Sequence, residues 1–433
     1  MLKILNGNKR NFNKKLVNIL NQRRIESSSK YYLIKKIISD IKRNKDKALI
    51  KYEKKYSNYK IKSIKDIKFS KIEIKNIINK LDLKTKLSID LAFKRIYQFH
   101  QSQKFKNYKL RDKYKNSFSY ISSPIQKIGV YVPGGTASYP STVLMNCIPA
   151  IIAGVKEIYL TSPSPNKNYN PAVLYAAKKC KVKEIYKVGG AQAIAALAFG
   201  TNSIQKVDKI VGPGNEYVAL AKKEVFGQVG IDMIAGPSEV TVIADNSSNF
   251  DWVASDLIAQ AEHDKKAQSI LITNNTKIIN KVNLSLKKQL KNLKKKKIAS
   301  ASIKKFGLAI FASSTKKLLN IVNEIAPEHL EIFVKNPEKL LRGINNAGSI
   351  FVGRYSPEAM GDYLAGTNHV LPTSGSAKFS SGLSVYDFLK RHSVIKITKS
   401  GIEKLGPSVI NLAQYENLDG HANSIKIRLR KEK

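Results

Sequence analysis

The amino-acid sequence predicts an α/β protein: two tandem units with parallel sheets, plus small helical parts at the N- and C-termini. Three stretches of the chain carry that expectation. Residues 1 to about 110 are mostly polar, with apolar repeats near 3.6 in segments such as Tyr31 to Arg43 and Ser88 to Phe99, the period of helices that bury one face. Four β-rich runs follow, Ile128-Gly129-Val130-Tyr131-Val132, Glu157-Ile158-Tyr159-Leu160-Thr161, Glu184-Ile185-Tyr186-Lys187-Val188 and Lys209-Ile210-Val211, separated by helix-length segments. Parallel neighbours need a crossover long enough for a helix, so this alternation implies a parallel sheet covered by helices. After Gly236-Pro237 the rhythm repeats in Val240 to Ala244, Ser269 to Thr273, Gly307 to Phe311, Leu330 to Val334 and Ser349 to Val352. The two sets do not align obviously with each other, so the rhythm is compatible with duplication without demonstrating it. Lys287 to Lys297 reads as a charged, exposed helix end, and the chain beyond about Gly382 as a shorter tail.

With 433 residues the chain can form two or more packed domains, and 42% hydrophobic residues exclude disorder as a description of the whole. Cys147 and Cys180 are its only cysteines, which excludes a disulfide framework and fits a reducing cytoplasm. No apolar run reaches the roughly 18 residues that span a bilayer, and the lysine-rich start lacks the apolar core of a signal peptide. The expectation is a cytoplasmic protein with no membrane partner. A formal charge of +44 would suit nucleic acid, but the lysines are spread along the chain and are not gathered into one stripe interleaved with aromatics. Solvated surface lysine is the preferred reading, with no specific nucleic-acid partner and only non-specific binding of polyanions.

Chemistry-bearing residues concentrate in the second half: Gln260 and His263, Glu328 and His329, Asp362, His369, Glu416 and His421. Gln260 and His263 close an apolar-periodic segment from Trp252, and i/i+3 spacing puts them on one helix face. Glu328-His329 are adjacent, so they can address different protons around one substrate. Imidazole, carboxylate and amide oxygen without thiolate suit zinc or another divalent transition metal. Taken singly, each histidine is more often a hydrogen-bonded core residue. No Gly-x-Gly-x-x-Gly opens a helix, but Pro133-Gly134-Gly135, Gly189-Gly190 and Gly212-Pro213-Gly214 directly follow predicted strands. Such loops are turn punctuation or a cofactor cradle. A covalent route through Cys147 is disfavoured by its apolar neighbours, while Cys180, flanked by lysines, is expected at a surface helix end.

Several blocks resemble the histidinol dehydrogenase family, in the family's order and over about residues 25 to 425. They are Tyr131-Val132-Pro133-Gly134-Gly135, Val188 to Ala195, Gly212-Pro213-Gly214-Asn215, Ile231 to Val240 with Ala254, Asp256, Leu257 and Gln260 to His263, Ala326 to Leu330, Gly361-Asp362-Tyr363, Gly366 to Thr373, and Glu416 to His421. The resemblance implies the last step of histidine biosynthesis: L-histidinol oxidised to L-histidine through the aldehyde, two NAD being reduced in succession. It implies one zinc ion per subunit on Gln260, His263, Asp362 and His421, and NAD in a non-standard cleft at Tyr131, Gln192 and Asn215. His329 would be the base on the alcohol and on the hydrated aldehyde, and Glu328 would activate the attacking water. Ser238, Gln260, His263, His329, Asp362, His369, Glu416 and His421 would touch substrate. Two incomplete Rossmann-like domains are implied, one from 25–110 with 239–381 and the other, on the NAD side, from 111–238. An arm, 1–24, and a dimerisation tail, 382–433, complete an intertwined homodimer in which the tail reaches the partner's site. The alternatives are a relative acting on another alcohol, a basic nucleic-acid binder, and a fold retained without turnover.

Overall fold

The computed structural model describes residues 1–23, 28–57, 61, 63–134, 139–163 and 169–430, so Gly135 of the first glycine loop lies outside the described residues. In chain order, β1 (Lys3–Asn6) and α1 (Phe12–Asn21) precede α2 (Ser28–Tyr56), α3 (Lys71–Ile78) and α4 (Leu83–Gln101). A non-helical turn at Lys45 divides α2 in two. Next come β2 (Tyr108–Arg111), β3 (Ser117–Pro124), β4 (Lys127–Tyr131), α5 (Pro140–Ala153), β5 (Glu157–Thr161), α6 (Pro171–Lys179), β6 (Glu184–Tyr186), α7 (Gly190–Phe199), β7 (Lys209–Val211), α8 (Glu216–Val225) and β8 (Gly230–Ile231). The second series is β9 (Glu239–Ala244), α9 (Phe250–Ala261), β10 (Gln268–Thr273), α10 (Thr276–Leu290), α11 (Lys296–Phe306), β11 (Leu308–Phe311), α12 (Thr315–Ile325), β12 (His329–Phe333), α13 (Pro337–Leu341), β13 (Ser349–Val352) and α14 (Glu358–Tyr363). The tail holds β14 (Leu389–Lys396), α15 (Lys399–Tyr415) and α16 (Asp419–Leu429).

The predicted runs form parallel strands of two sheets, to which β1 and β8 add edge strands that were not predicted. One has the order β6-β5-β4-β7-β8 and the other β1-β11-β10-β9-β12-β13. Helices cover both faces, so residues 239–244 and 268–273 are buried throughout and the strands read as nearly continuous apolar runs. In each sheet the chain builds outward in one direction and then returns to the other side, so the strand order reverses between β4 and β7 and between β9 and β12. Helix α5 is buried from Ser141 to Ala150, with proline at its first turn and a left-handed Gly154 at its end, the usual start and stop of a helix.

Three segments depart from the expected layout. The arm 1–24 contributes β1, an edge strand in register with β11 from Lys3↔Leu308 to Asn6↔Phe311. The helices of 25–110 do not join the 239–381 unit: Ile34, Ile37, Ile41, Leu49 and Tyr52 of α2 share a core with Ile194, Leu197 and Ala198 of α7, on the five-stranded sheet. Ile78, Ile89 and Ile96 from α3 and α4 likewise share a core with α5 and α6. An amphipathic helix announces that it needs a cover but not which one, and the small residues of α7 allow the close approach that decides it. Lastly, β3 leaves the 111–238 unit and pairs antiparallel with β14 and β2, tying that stretch to the tail. Cys180 is buried against α5 rather than exposed. Among the described residues no helix is long and apolar enough to cross a membrane.

Candidate active site and metal centre

The segment 232–238 runs from the end of β8 to the start of β9, joining the carboxyl edge of the five-stranded sheet to the amino edge of the six-stranded one. A buried charge holds each end. Asp232 accepts the Gly212 N–H at 2.8 Å and pairs with buried Lys222, whose ammonium also donates to Gly212 O at 3.0 Å. At the other end Arg23 pairs with Glu239 at 2.9 Å, the two side chains 2% and 3% exposed. The remaining Arg23 donors reach Gln268 Oε1, Lys266 O, Pro237 O and Ser238 O, so the guanidinium fork is fully used and fixes the backbone of half-buried Ser238. Replacing Arg23 by alanine strands the Glu239 carboxylate in the interior. The expected cost is about 3–5 kcal/mol of unfolding free energy. Denaturant melts check this, and a loss under 1 kcal/mol would show that water or a neighbour compensates.

Glu328 and His329, the expected acid/base pair, stand where β12 begins. Ala326, in the left-handed region at φ 49, ends α12 and turns the chain so that Pro327, Glu328 and His329 enter beside β9. Both side chains are buried. A carboxylate oxygen of Glu328 accepts the Glu239 N–H at 2.9 Å and lies 3.8 Å from His329 Nδ1. Burial, and then the negative charge of Glu239, push the Glu328 carboxyl well above the usual range. His329 Nδ1 lies 3.1 Å from Glu239 O, and a nitrogen facing a carbonyl oxygen carries the proton. Nε2 is then the bare nitrogen. It is buried without a hydrogen-bond partner, 3.9 Å from Asp362 Oδ1, and burial pushes the imidazole down to about 4. A neutral base is therefore preformed.

Gln260 lies in the last turn of α9, whereas His263 falls past the helix end at Ala261, in a turn closed by its N–H to Gln260 O at 3.2 Å. The expected single helical face is thus a helix end and the turn after it. His263 and Asp362 come together with Glu358, ligand atoms of all three lying within 4.8 Å of one another. Glu358 escaped the sequence reading, although its i/i+4 spacing from Asp362 just after Pro357 is legible. It is buried, 3.7 Å from His329 Nδ1, and its N–H is accepted by Glu331 at 2.6 Å. Burial, then Asp362 and Glu331, push its carboxyl well above the usual range. Behind it Asp256, held at about 6 by burial, hydrogen-bonds to Glu331. So many carboxylates with, among the described residues, no paired cation beyond Arg23 at Glu239 suit a divalent ion.

The Gln260 amide tests that fit. With nitrogen towards Glu358, it donates to Oε2 at 3.0 Å and its oxygen accepts the Glu239 N–H at 3.0 Å. With oxygen towards Glu358, that oxygen faces only carboxylate and the nitrogen only the Glu239 N–H, an orientation that a cation among His263, Glu358 and Asp362 would stabilise. The donor set fits zinc. His369 joins the cluster through Nδ1, 3.0 Å from Asp362 O and 4.0 Å from its carboxylate. Glu416 and His421 do not: both are exposed, at the end of α15 and in the first turn of α16, and among the described residues no side-chain hydrogen bond or ion pair ties either to the cluster.

On the other side of the 232–238 segment, the strand reversal between β4 and β7 opens a crevice at the carboxyl ends, where parallel sheets take ligands. Buried Tyr131 ends β4, and its hydroxyl accepts the Gly190 N–H at 3.1 Å. Gln192 is buried in the first turn of α7. Asn215 caps α8, its Oδ1 accepting the Tyr217 and Val218 N–H groups at 3.1 and 3.2 Å. Gly212 has φ 107 and passes Tyr131 so closely that a Cβ would lie 2.1 Å from the Tyr131 carbonyl oxygen. Helix α5 meets the segments that carry His263 and His369: the hydroxyl of Tyr139, at its start, is pushed up by burial and then by the charges of Asp264 and Glu262, and Asn368 Nδ2 donates to Met145 O at 2.7 Å. Cys147 is buried, its thiol pushed well above the ordinary range by a hydrogen bond with Cys180 and by burial, which removes it as a nucleophile.

The family model for histidinol dehydrogenase matches residues 20–429. Histidinol dehydrogenase of Pelagibacter ubique is 54% identical over 435 residues, covering 100% of both chains. That of Caldanaerobacter subterraneus is 47% identical over 412 residues, 95% of each chain. The crystal structure of histidinol dehydrogenase from Elizabethkingia anophelis superposes with a TM-score of 0.93 at 39% identity, covering 99% of this chain and 98% of that one.

Proposed function

This chain belongs to the histidinol dehydrogenase family, and from that premise we propose that it oxidises L-histidinol to L-histidine through L-histidinaldehyde, reducing two NAD per turnover as the last step of histidine biosynthesis. The observation that carries the reading is the bare, buried Nε2 of His329, 3.9 Å from Asp362 of the His263–Glu358–Asp362 cluster, on a ring whose Nδ1 side faces Glu328.

Gln260, His263 and Asp362, with the partner subunit's His421, would hold one zinc ion per subunit. When bound, zinc anchors the imidazole and amine of the substrate, and the nicotinamide takes the hydride at each oxidation. His329 Nε2 takes the alcohol proton in the first half-reaction, its Nδ1–H held in place by Glu239 O. Glu328, a carboxylate whose proton affinity is raised by burial, takes a proton from water as that water adds to the aldehyde. His329, once it has released the first proton to solvent, takes the proton of the hydrate. Ser238, His369 and Glu416 would line the substrate, and Tyr131, Gln192 and Asn215 the NAD crevice. The buried free thiols fit a cytoplasmic location. The test is NADH formed per L-histidinol consumed by zinc-loaded protein in excess NAD. Two per histidine, abolished by chelation and restored by zinc, is the expected result; one per released aldehyde would remove the assigned role of Glu328, and no turnover the whole reading.

The homodimer with a crossing tail is part of the proposal. Leu405, Val409, Leu412 and Tyr415 form an exposed apolar stripe along α15, leading to Glu416 and His421, which stand outside their own chain's site. Mixing a Glu328→Ala subunit with a His421→Ala subunit is expected to regenerate one intact site per mixed dimer and recover activity that neither parent has. Recovery no greater than the sum of the parents would count against shared sites.

A further inference from the structure

Glu53 lies on α2, far in sequence from every residue assigned above, yet its side chain is fully buried at the NAD crevice. Its Oε1 accepts two hydrogen bonds, from the Gly189 N–H at 3.0 Å and from Gln192 Nε2 at 2.8 Å. Two donors pointing at one oxygen leave that oxygen unprotonated whatever the charge of the group, so it acts as an acceptor only. The consequence falls on Gln192. An amide is chemically two-faced, able to offer N–H or C=O to a ligand, and Glu53 removes the choice by claiming the nitrogen. The oxygen lies over Gly190, where a Cβ would sit 2.9 Å from it and 3.3 Å from the amide nitrogen. Gly190 holds φ 64 and gives its N–H to the Tyr131 hydroxyl, so the buried amide packs on the turn that meets Tyr131.

We propose that Glu53 is a positioning residue of the cofactor site: it holds the Gln192 amide with its oxygen towards the crevice, where that oxygen accepts from a hydroxyl or amino group of the dinucleotide. The proposal rests on the reading of the crevice as the NAD site. An acceptor oxygen cannot bind phosphate, so the ribose hydroxyls and the carboxamide and adenine amino groups are the groups that can satisfy it. Glu53 also ties the Gly189 N–H, which keeps the Gly189–Gly190 turn shaped around Tyr131.

The experiment uses the full-length, zinc-loaded enzyme and three variants: Glu53→Leu, Glu53→Gln and Gln192→Ala. NADH affinity is measured by fluorescence titration, beside the KM values for NAD and L-histidinol. Glu53→Leu removes the acceptor and frees the Gln192 amide to turn, and NADH affinity is expected to fall about tenfold, with the NAD KM rising in step and the L-histidinol KM unmoved. Glu53→Gln keeps an acceptor oxygen where Oε1 stands, able to take both hydrogen bonds, and is expected to hold NADH affinity near the parent's, a rescue by the conservative variant that a role resting on the carboxylate's charge would not allow. If Gln192→Ala weakens NADH binding but Glu53→Leu does not, or if Glu53→Gln loses as much as Glu53→Leu, the positioning role is overturned. NADH affinity unchanged in Gln192→Ala overturns both the role and the assignment of the crevice.

Discussion

Replacing His329 by asparagine is expected to lower turnover of L-histidinol about 10²- to 10⁴-fold, the contribution of a positioned general base. Asparagine keeps a polar side chain that can still donate to Glu239 O, so β12 stays in register and the fold is preserved, but no atom then stands at Nε2 to take a proton. Zinc content and NADH affinity are expected to match the parent. The L-histidinol KM moves far less than kcat, because the lost interaction is made to the proton in flight and not to the resting substrate. Steady-state kinetics with metal analysis decide the matter. A variant within tenfold of the parent would pass the base role to Glu328, 3.8 Å from the same imidazole.

The second large effect concerns the metal. Chelation is expected to stop turnover, and zinc to restore it. Asp362→Asn removes a charged ligand, and its zinc affinity is expected to fall at least about a hundredfold. Glu358→Gln keeps the shape of the side chain but removes a buried negative charge beside Gln260, and a loss of about ten- to a hundredfold is expected, the range for groups that orient metal ligands. Competition against a chromophoric chelator measures both. Parent-like affinity in both variants would place the metal elsewhere.

Apart from the edge strands β1 and β8, the strands of both sheets were readable because helices cover them on both faces and nearly every residue must be apolar, as in Val240 to Ala244. The half-exposed strands were not. β3 carries polar and apolar residues without a decisive period, and only its pairing with β14 makes it a strand. The same divide runs through the site. Glu328, His329 and Asp362 were recognisable in their sequence blocks, but Arg23 and Glu53 stand amid ordinary helix and turn sequence and acquire their roles from Glu239 and Gln192, more than a hundred residues away.

By itself, then, the sequence determined the α/β rhythm, the glycine loops and the identities of most polar groups assigned to the chemistry, because these depend on local periodicity and on residue type. The tertiary structure alone decided that α2 covers the five-stranded sheet, that β1 joins the other, that Glu358 stands against His263 and Asp362, and that Glu416 and His421 are exposed and, among the described residues, tied to no group of their own chain's cluster. Those outcomes follow from which buried surfaces and unpaired charges meet across long loops, and no window of sequence contains both members of such a pair.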